Sequence, residues 1–158
     1  MSEEGQDDLF ALGCAASEQA RRSHGGRGWL ACWRRLRADG TWQGTVSAPC
    51  AWVEEDDLEA VGGIAGARAA GVNVLLAQSL PLLAQARSQG LRAILRVPVL
   101  AHESSQEQLA RLRQLHEQMA TGLPDGVAPT PADPTLGLAT LTLVARCRLV
   151  LPQVAPVM

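Results

Sequence analysis

The chain has 158 residues, of which 47% are hydrophobic and 19% are charged, and its formal net charge is −2. These values predict a globular domain with its own core and exclude wholesale disorder, and no apolar run reaches the roughly 18 residues of a membrane span. All 14 basic residues are arginines, so the chain has no lysine for Schiff-base chemistry or for holding a phosphate.

The start of the chain and its cysteines bear on the compartment. Residues 1–8 are acidic and polar, the reverse of the basic start of a signal peptide, so a cytoplasmic location is expected. The cysteines should then be reduced thiols. They lie far apart in the sequence and form no C-x-x-C pair, so we predict no metal site from them. They are Cys14, Cys32, Cys50 and Cys147.

The N-terminal part of the chain predicts a helix followed by a β-hairpin. Apolar residues at helical spacing indicate a helix over residues 7–22. Residues 29–36 and 44–53 suit strands, and Ala38-Asp39-Gly40 between them is a turn signal. We therefore treat residues 1–54 as a helix-plus-hairpin segment and residues 55–158 as a second segment.

Four consecutive acidic residues, 54–57, predict the start of the next helix, because carboxylates stabilise the positive end of a helix dipole. Its buried face would carry Leu58, Val61, Ile64 and Ala65, and Gly71 would end it as a left-handed cap. The same acids lie near the basic segment 21–37 in sequence, and we expect them to neutralise it.

Strands and helices alternate from residue 72 onward. Strands are predicted at 72–78, at 91–99 with Pro98 near its end, at 126–130 and at 148–151. Helices are predicted after the cap Ser79, after the capping box Ser104-x-x-Glu107, and over residues 136–146. This order predicts an α/β fold: a partial (half) TIM-type barrel, or a short parallel sheet with flanking helices, preceded by the N-terminal helix and hairpin.

A series of short motifs runs through the second half of the chain: Ala84-Gln85-Ala86, Gly90-Leu91, His102-Glu103-Ser104, Leu112-Arg113-Gln114-Leu115 and Val127-Ala128-Pro129. Residues 141–151 (LTLVARCRLVL) and 9–25 (LFALGCAASEQARRSHG) extend it. In this order the motifs resemble the radical S-adenosylmethionine enzymes of the futalosine route to menaquinone. That group includes aminofutalosine synthase and dehypoxanthine futalosine cyclase, with the deazaflavin-cofactor synthases as relatives.

The chain departs from that family at the centre of its chemistry. The C-x-x-x-C-x-x-C loop, which holds an iron–sulfur cluster by three thiolates, is missing, and residues 28–55 stand in its place. Roughly the first half of the barrel is absent as well. We therefore expect the cluster and S-adenosylmethionine to be lost, and we predict no cofactor.

Five residues are candidates for ligand binding. His102 and Glu103 follow the predicted strand 91–99, and ligands bind at the carboxyl edge of parallel strands. An imidazole beside a carboxylate could do acid–base work, so these two are the catalytic candidates. In the resembled family this region, with Ser104, lines the mouth of the active site. Arg96 and Gln78 would lie near the ends of neighbouring strands, and Arg96 could pair with a carboxylate or phosphate.

Arginines alternate with tryptophans in residues 21–37, a composition found on nucleic-acid-binding surfaces. The chain as a whole is acidic, so nucleic acid is not the expected partner. We expect the tryptophans to stack across the hairpin or to form a face that packs on a partner. They are Trp29, Trp33, Trp42 and Trp52.

These observations give three hypotheses of function. The first is a binding or regulatory protein, a catalytically deficient relative of the radical enzymes, linked through the resemblance to menaquinone biosynthesis. Its partner would be a second copy or a full-length homologue, since half a sheet leaves an edge and a face to be covered. The second is a small enzyme that uses His102 and Glu103 on a small polar metabolite. The third is a decayed remnant without selected activity. None of the three involves a membrane.

Overall fold

The computed structural model describes residues 3–24, 33–119, 124–131, 133–151 and 155–156. It is an α/β fold with a mostly parallel sheet and flanking helices, as predicted. The helices are α1 (Glu3–His24), α2 (Glu55–Leu58), α3 (Gly63–Ala69), α4 (Leu80–Ser88), α5 (Ser105–Gln118) and α6 (Gly137–Val150), with a 3₁₀ turn at Pro134–Leu136. The strands are β1 (Trp33–Leu36), β2 (Trp42–Gly44), β3 (Cys50–Glu54), β4 (Val74–Ala77), β5 (Arg92–Val99), β6 (Gly126–Pro131) and β7 (Ala155–Pro156). Their order in the sheet is β2-β1-β3-β4-β5-β6-β7.

The chain divides into two compact units. One, the sheet unit, comprises Trp29–Arg96 and Leu123–Gly126. The other, the helical unit, comprises Met1–Gly28, Val97–Gly122 and Val127–Met158 and includes α1, α5 and α6. The division at residues 54 and 55 rests on sequence pattern and stays a prediction.

The predicted hairpin is present but shorter than expected. β1 pairs antiparallel with β2 through a turn at Ala38 to Gly40. The predicted strand 44–53 is confirmed only for residues 50–53, which belong to β3, because the chain turns after Gly44. This glycine has a φ of 107°, and a Cβ there would lie 2.5 Å from the Trp33 carbonyl oxygen. The chain then crosses to the other side of β1, where β3 pairs with it in parallel.

The predicted helix after the acidic run is also wrong as a single element. It is divided into α2 and α3, because Gly62 and Gly63 have φ values of 85° and 69°, in the left-handed region that ends a helix. Leu58 and Ile64 are buried as predicted, whereas Ala65 is exposed and Ala67 is buried instead.

The cap predicted at the far end of this segment is confirmed. Gly71 has a φ of 92°, and its N–H donates to the Arg68 carbonyl.

Gly66 in α3 packs closely against the turn that joins α2 to α3. A Cβ there would clash with the backbone oxygen of Val61. We expect Gly66→Ala to lower the free energy of unfolding by about 2 kcal/mol, because backbone atoms must move. Gly13→Ala is the control: Gly13 lies within α1 with no neighbour within 4 Å, so alanine should stabilise by about 0.5–1 kcal/mol. Urea denaturation measures both, and equal effects would contradict the prediction.

The next βα unit follows the sequence prediction closely. The Ser79 side chain accepts a hydrogen bond from the Leu82 N–H at the start of α4, and Gly90, with a φ of 84°, follows its end. β5 continues past Pro98 to Val99, so that the strand does not end at the proline. The Pro98 carbonyl accepts a hydrogen bond from the Arg111 side chain.

The sheet unit has two chemically different faces. β1, β3, β4 and β5 lie side by side in chain order and pair in parallel. Right-handed crossovers in that order place α3 and α4 on one face of the sheet. Apart from Arg34 on β1, that face is apolar. Its apolar residues are at most 2% exposed and are Leu36, Ala51, Val53, Leu75, Ala77, Ala93 and Leu95. The opposite face receives neither helix.

In the helical unit, α6 contacts both α1 and α5. Its buried residues are Leu143, Val144, Ala145 and Cys147. The strand predicted over 148–151 is wrong, because α6 continues to Val150 and nothing in Arg146, Cys147 and Arg148 breaks a helix. Burial raises the pKa of the Cys147 thiol to about 12, so it stays protonated.

Candidate functional site

The candidate site is the side of the sheet unit that α3 and α4 do not cover, which we call the helix-free face. Alternate residues of the four parallel strands point to it, since side chains alternate between the faces of a sheet. They are Trp33 and Arg35 on β1; Cys50, Trp52 and Glu54 on β3; Val74 and Leu76 on β4; and Arg92, Ile94 and Arg96 on β5. This face carries several arginine, tryptophan and carboxylate side chains, whereas the opposite face is apolar apart from Arg34.

Strand register brings these side chains into rows. Arg35 is level with Trp52, Trp52 with Val74, and Val74 with Arg92. One step towards the carboxyl ends, Glu54 is level with Leu76 on β4. The polar residues therefore lie towards the carboxyl ends of the strands, where parallel α/β proteins place their sites.

Glu54 lies between two arginines. Its Oε2 atom is 2.9 Å from Arg35 Nη2 and 3.8 Å from Arg96 Nη1. Arg35 also donates to Asp57 at 2.7 Å, and Arg96 donates to Asp56 at 2.9 Å. We call these five side chains the ion-pair cluster. The prediction that the acidic run neutralises basic residues is confirmed for Arg35.

The side chains of the cluster other than Asp56 are largely removed from water. The side chains of Glu54 and Arg96 are each 16% exposed, and that of Arg35 is 26% exposed. The Nε atoms of Arg35 and Arg96 are buried and have no hydrogen-bond partner among the described residues. Each guanidinium is therefore held through its Nη atoms, and losing a carboxylate partner would leave a poorly solvated charge.

Two tryptophan rings lie next to the ion-pair cluster, towards the start of β1 and β3. Trp33 and Trp52 meet edge to face with ring centroids 5.8 Å apart, and the Arg35 guanidinium lies 5.3 Å from the Trp52 ring centre. The predicted stacking across the hairpin is corrected here, since this contact joins β1 and β3. The Arg34 guanidinium instead lies over the Trp42 ring, 4.3 Å from its centre. Trp29 lies outside the described residues.

Two predicted ligand-binding residues lie in the sheet unit. Arg96 is half-buried in the ion-pair cluster. Gln78 follows β4 and is exposed; its backbone N–H donates to Glu55 Oε2 at 2.7 Å. Glu55 thus ties the start of α2 to the end of β4.

The other three predicted residues lie in the helical unit, between β5 and α5. His102 is exposed, and Glu103 forms a two-pronged ion pair with Arg111, with distances of 2.7 Å and 2.6 Å. The Glu103 side chain is only 7% exposed. Its carboxylate is therefore occupied by Arg111 in this structure, a contact that the sequence did not indicate.

The same segment borders a shallow depression of about 480 Å³. It is lined by Leu100, Ala101, His102, Glu103 and Glu107. The depression offers an imidazole and carboxylates to a small polar molecule, which is the one observation in favour of the second hypothesis.

Ser104 caps α5 as predicted. Its hydroxyl accepts from the Glu107 N–H, and Glu107 Oε2 accepts from the Ser104 N–H at 2.8 Å. The bonds to Ser104 hold the pKa of Glu107 below its usual 4.5.

A depressed pKa predicts a pH dependence for this cap. A carboxyl whose pKa is lower in the folded state stabilises above its unfolded pKa, and that stability is lost as the pH falls through the folded value. We expect Ser104→Ala to cost about 1 kcal/mol near neutral pH, and less below the unfolded pKa of Glu107. Urea denaturation across this pH range measures the difference. A difference that stays constant would contradict the prediction.

Arg35, Glu54, Asp56 and Asp57 of the cluster, and Trp52 beside it, were not predicted as site residues. The sequences of β1 and β3 are WRRL and CAWVE, and neither shows the strict alternation of polar and apolar residues that marks a strand with one polar face.

Neither metal ligands nor a membrane helix can be assigned in the described part of the chain. It contains no group of three or more histidine, cysteine or acidic side chains placed to hold a metal ion. Among the same residues, no helix is both long and apolar enough to cross a bilayer. Cys14 is exposed, Cys50 is half-buried and Cys147 is buried, while Cys32 lies outside the described residues.

Comparison with known proteins assigns no family. No family model, no curated protein and no solved structure matches the chain. The resemblance to the radical S-adenosylmethionine enzymes therefore stays a prediction.

Proposed function

We propose that this chain is a non-catalytic binding protein that docks a protein partner on its helix-free face. The observation that carries the proposal is the strand order of the sheet unit. Parallel sheets are ordinarily covered on both faces, and here the chain-order arrangement sends the crossover helices to one face only.

The composition of the helix-free face supports recognition of a protein. Trp33 is 45% exposed, and Arg35 and Trp52 lie beside it. Tryptophan and arginine are the residue types that most often dominate protein–protein interfaces. The ion-pair cluster holds Arg35 and Arg96 in place before binding, which reduces the side-chain entropy lost on association.

As part of the same proposal, the protein is a shortened, cytoplasmic relative of the futalosine-pathway radical enzymes that has lost their cofactors. The interpretation as a half-barrel is supported by two features that a barrel requires. The parallel strands of the sheet unit follow one another in chain order, and their crossover helices lie on one face. A link to menaquinone biosynthesis and recognition of a full-length homologue belong to this proposal.

Anaerobic reconstitution with iron and sulfide tests the non-catalytic assignment. We expect no iron–sulfur absorption in the visible range after desalting, because the chain lacks the three-cysteine loop. The quadruple Cys→Ser variant is the control for adventitious iron. Stoichiometric cluster absorption that disappears in this variant would overturn the proposal.

A small enzyme acting at the depression beside His102 is the second candidate. His102 is exposed, so His102→Ala should leave the free energy of unfolding within about 0.5 kcal/mol of the wild type. A loss of turnover in this variant, in a screen of small polar metabolites, would therefore not be caused by unfolding. Turnover by the wild type that His102→Ala abolishes would favour this candidate, and unchanged turnover would remove it.

A further inference from the structure

We draw no further inference here: the strongest candidate, the shallow groove of about 340 Å³ that Leu36, Trp42 and Val61 line between the β1–β2 hairpin and the turn joining α2 to α3, carries none because nothing in the part of the chain that the structure describes shows what would occupy it.

Discussion

Replacing Glu54 by leucine should lower the free energy of unfolding by about 4 kcal/mol, the largest effect expected from any single polar residue in this protein. Glu54 is the shared partner of Arg35 and Arg96, and all three side chains are largely buried. Removing it leaves two guanidinium groups with poor access to water. Breaking a buried pair from one side is costly for this reason, even where the intact pair contributes little.

The control for this prediction is Glu18→Leu. Glu18 also contacts two arginines, Arg21 and Arg22, but its side chain is 46% exposed on α1. Exposed pairs contribute about 0–1 kcal/mol. Chemical denaturation at neutral pH compares the two variants. If Glu54→Leu costs no more than Glu18→Leu, the ion-pair cluster is not the structural unit described above.

Replacing Glu103 by leucine should cost about 3 kcal/mol, the second largest effect. The Glu103 carboxylate is almost fully buried and holds Arg111 through two contacts, which also fixes Arg111 against the Pro98 carbonyl. The pair therefore links the end of β5 to α5 within the helical unit. Loss of the carboxylate leaves Arg111 with one backbone acceptor.

Glu117→Leu provides the comparison, since Glu117 is exposed on the same helix and should change stability by less than about 0.5 kcal/mol. The double variant Glu103→Leu/Arg111→Leu should be more stable than Glu103→Leu alone, because no uncompensated charge remains. A double variant less stable than the single would show that the two side chains act separately.

These expectations also bear on the interpretation of Glu103 as a catalytic candidate. A carboxylate engaged by a guanidinium at two atoms is not free to act on a substrate while that ion pair persists. Glu103→Gln offers a way to distinguish the roles, since it keeps the shape of the side chain and removes its charge. A structural role predicts loss of stability, whereas a catalytic role predicts loss of turnover with stability retained.

The sequence predicted those features that depend on local signals. Ser79 and Ser104 each accept a hydrogen bond from an N–H group three residues away, so their caps are visible in a short window of sequence. Gly71 and the turn before Thr41 are likewise local. The alternation of strands and helices after residue 72 follows from the same kind of information, and it predicted the parallel sheet.

The features that the sequence did not predict depend on distant partners. Arg35 and Glu54 meet because β3 crosses to the far side of β1, and nothing within the segment 44–53 specifies which side it takes. Arg96 reaches Asp56 over a separation of 40 residues. A propensity argument assigns an acidic run to a helix start, as it did here, but it cannot identify the cations that the run will bind.

The crossing of the chain between β2 and β3 has a consequence for behaviour at high concentration. β1 is flanked by β2 and β3, so its backbone is unavailable to other molecules. At that side of the sheet the exposed edge belongs to β2, which has 3 residues and ends at a glycine with a positive φ. So brief an edge is a poor template for intermolecular ladders, and the protein is thereby guarded against fibrillar self-association.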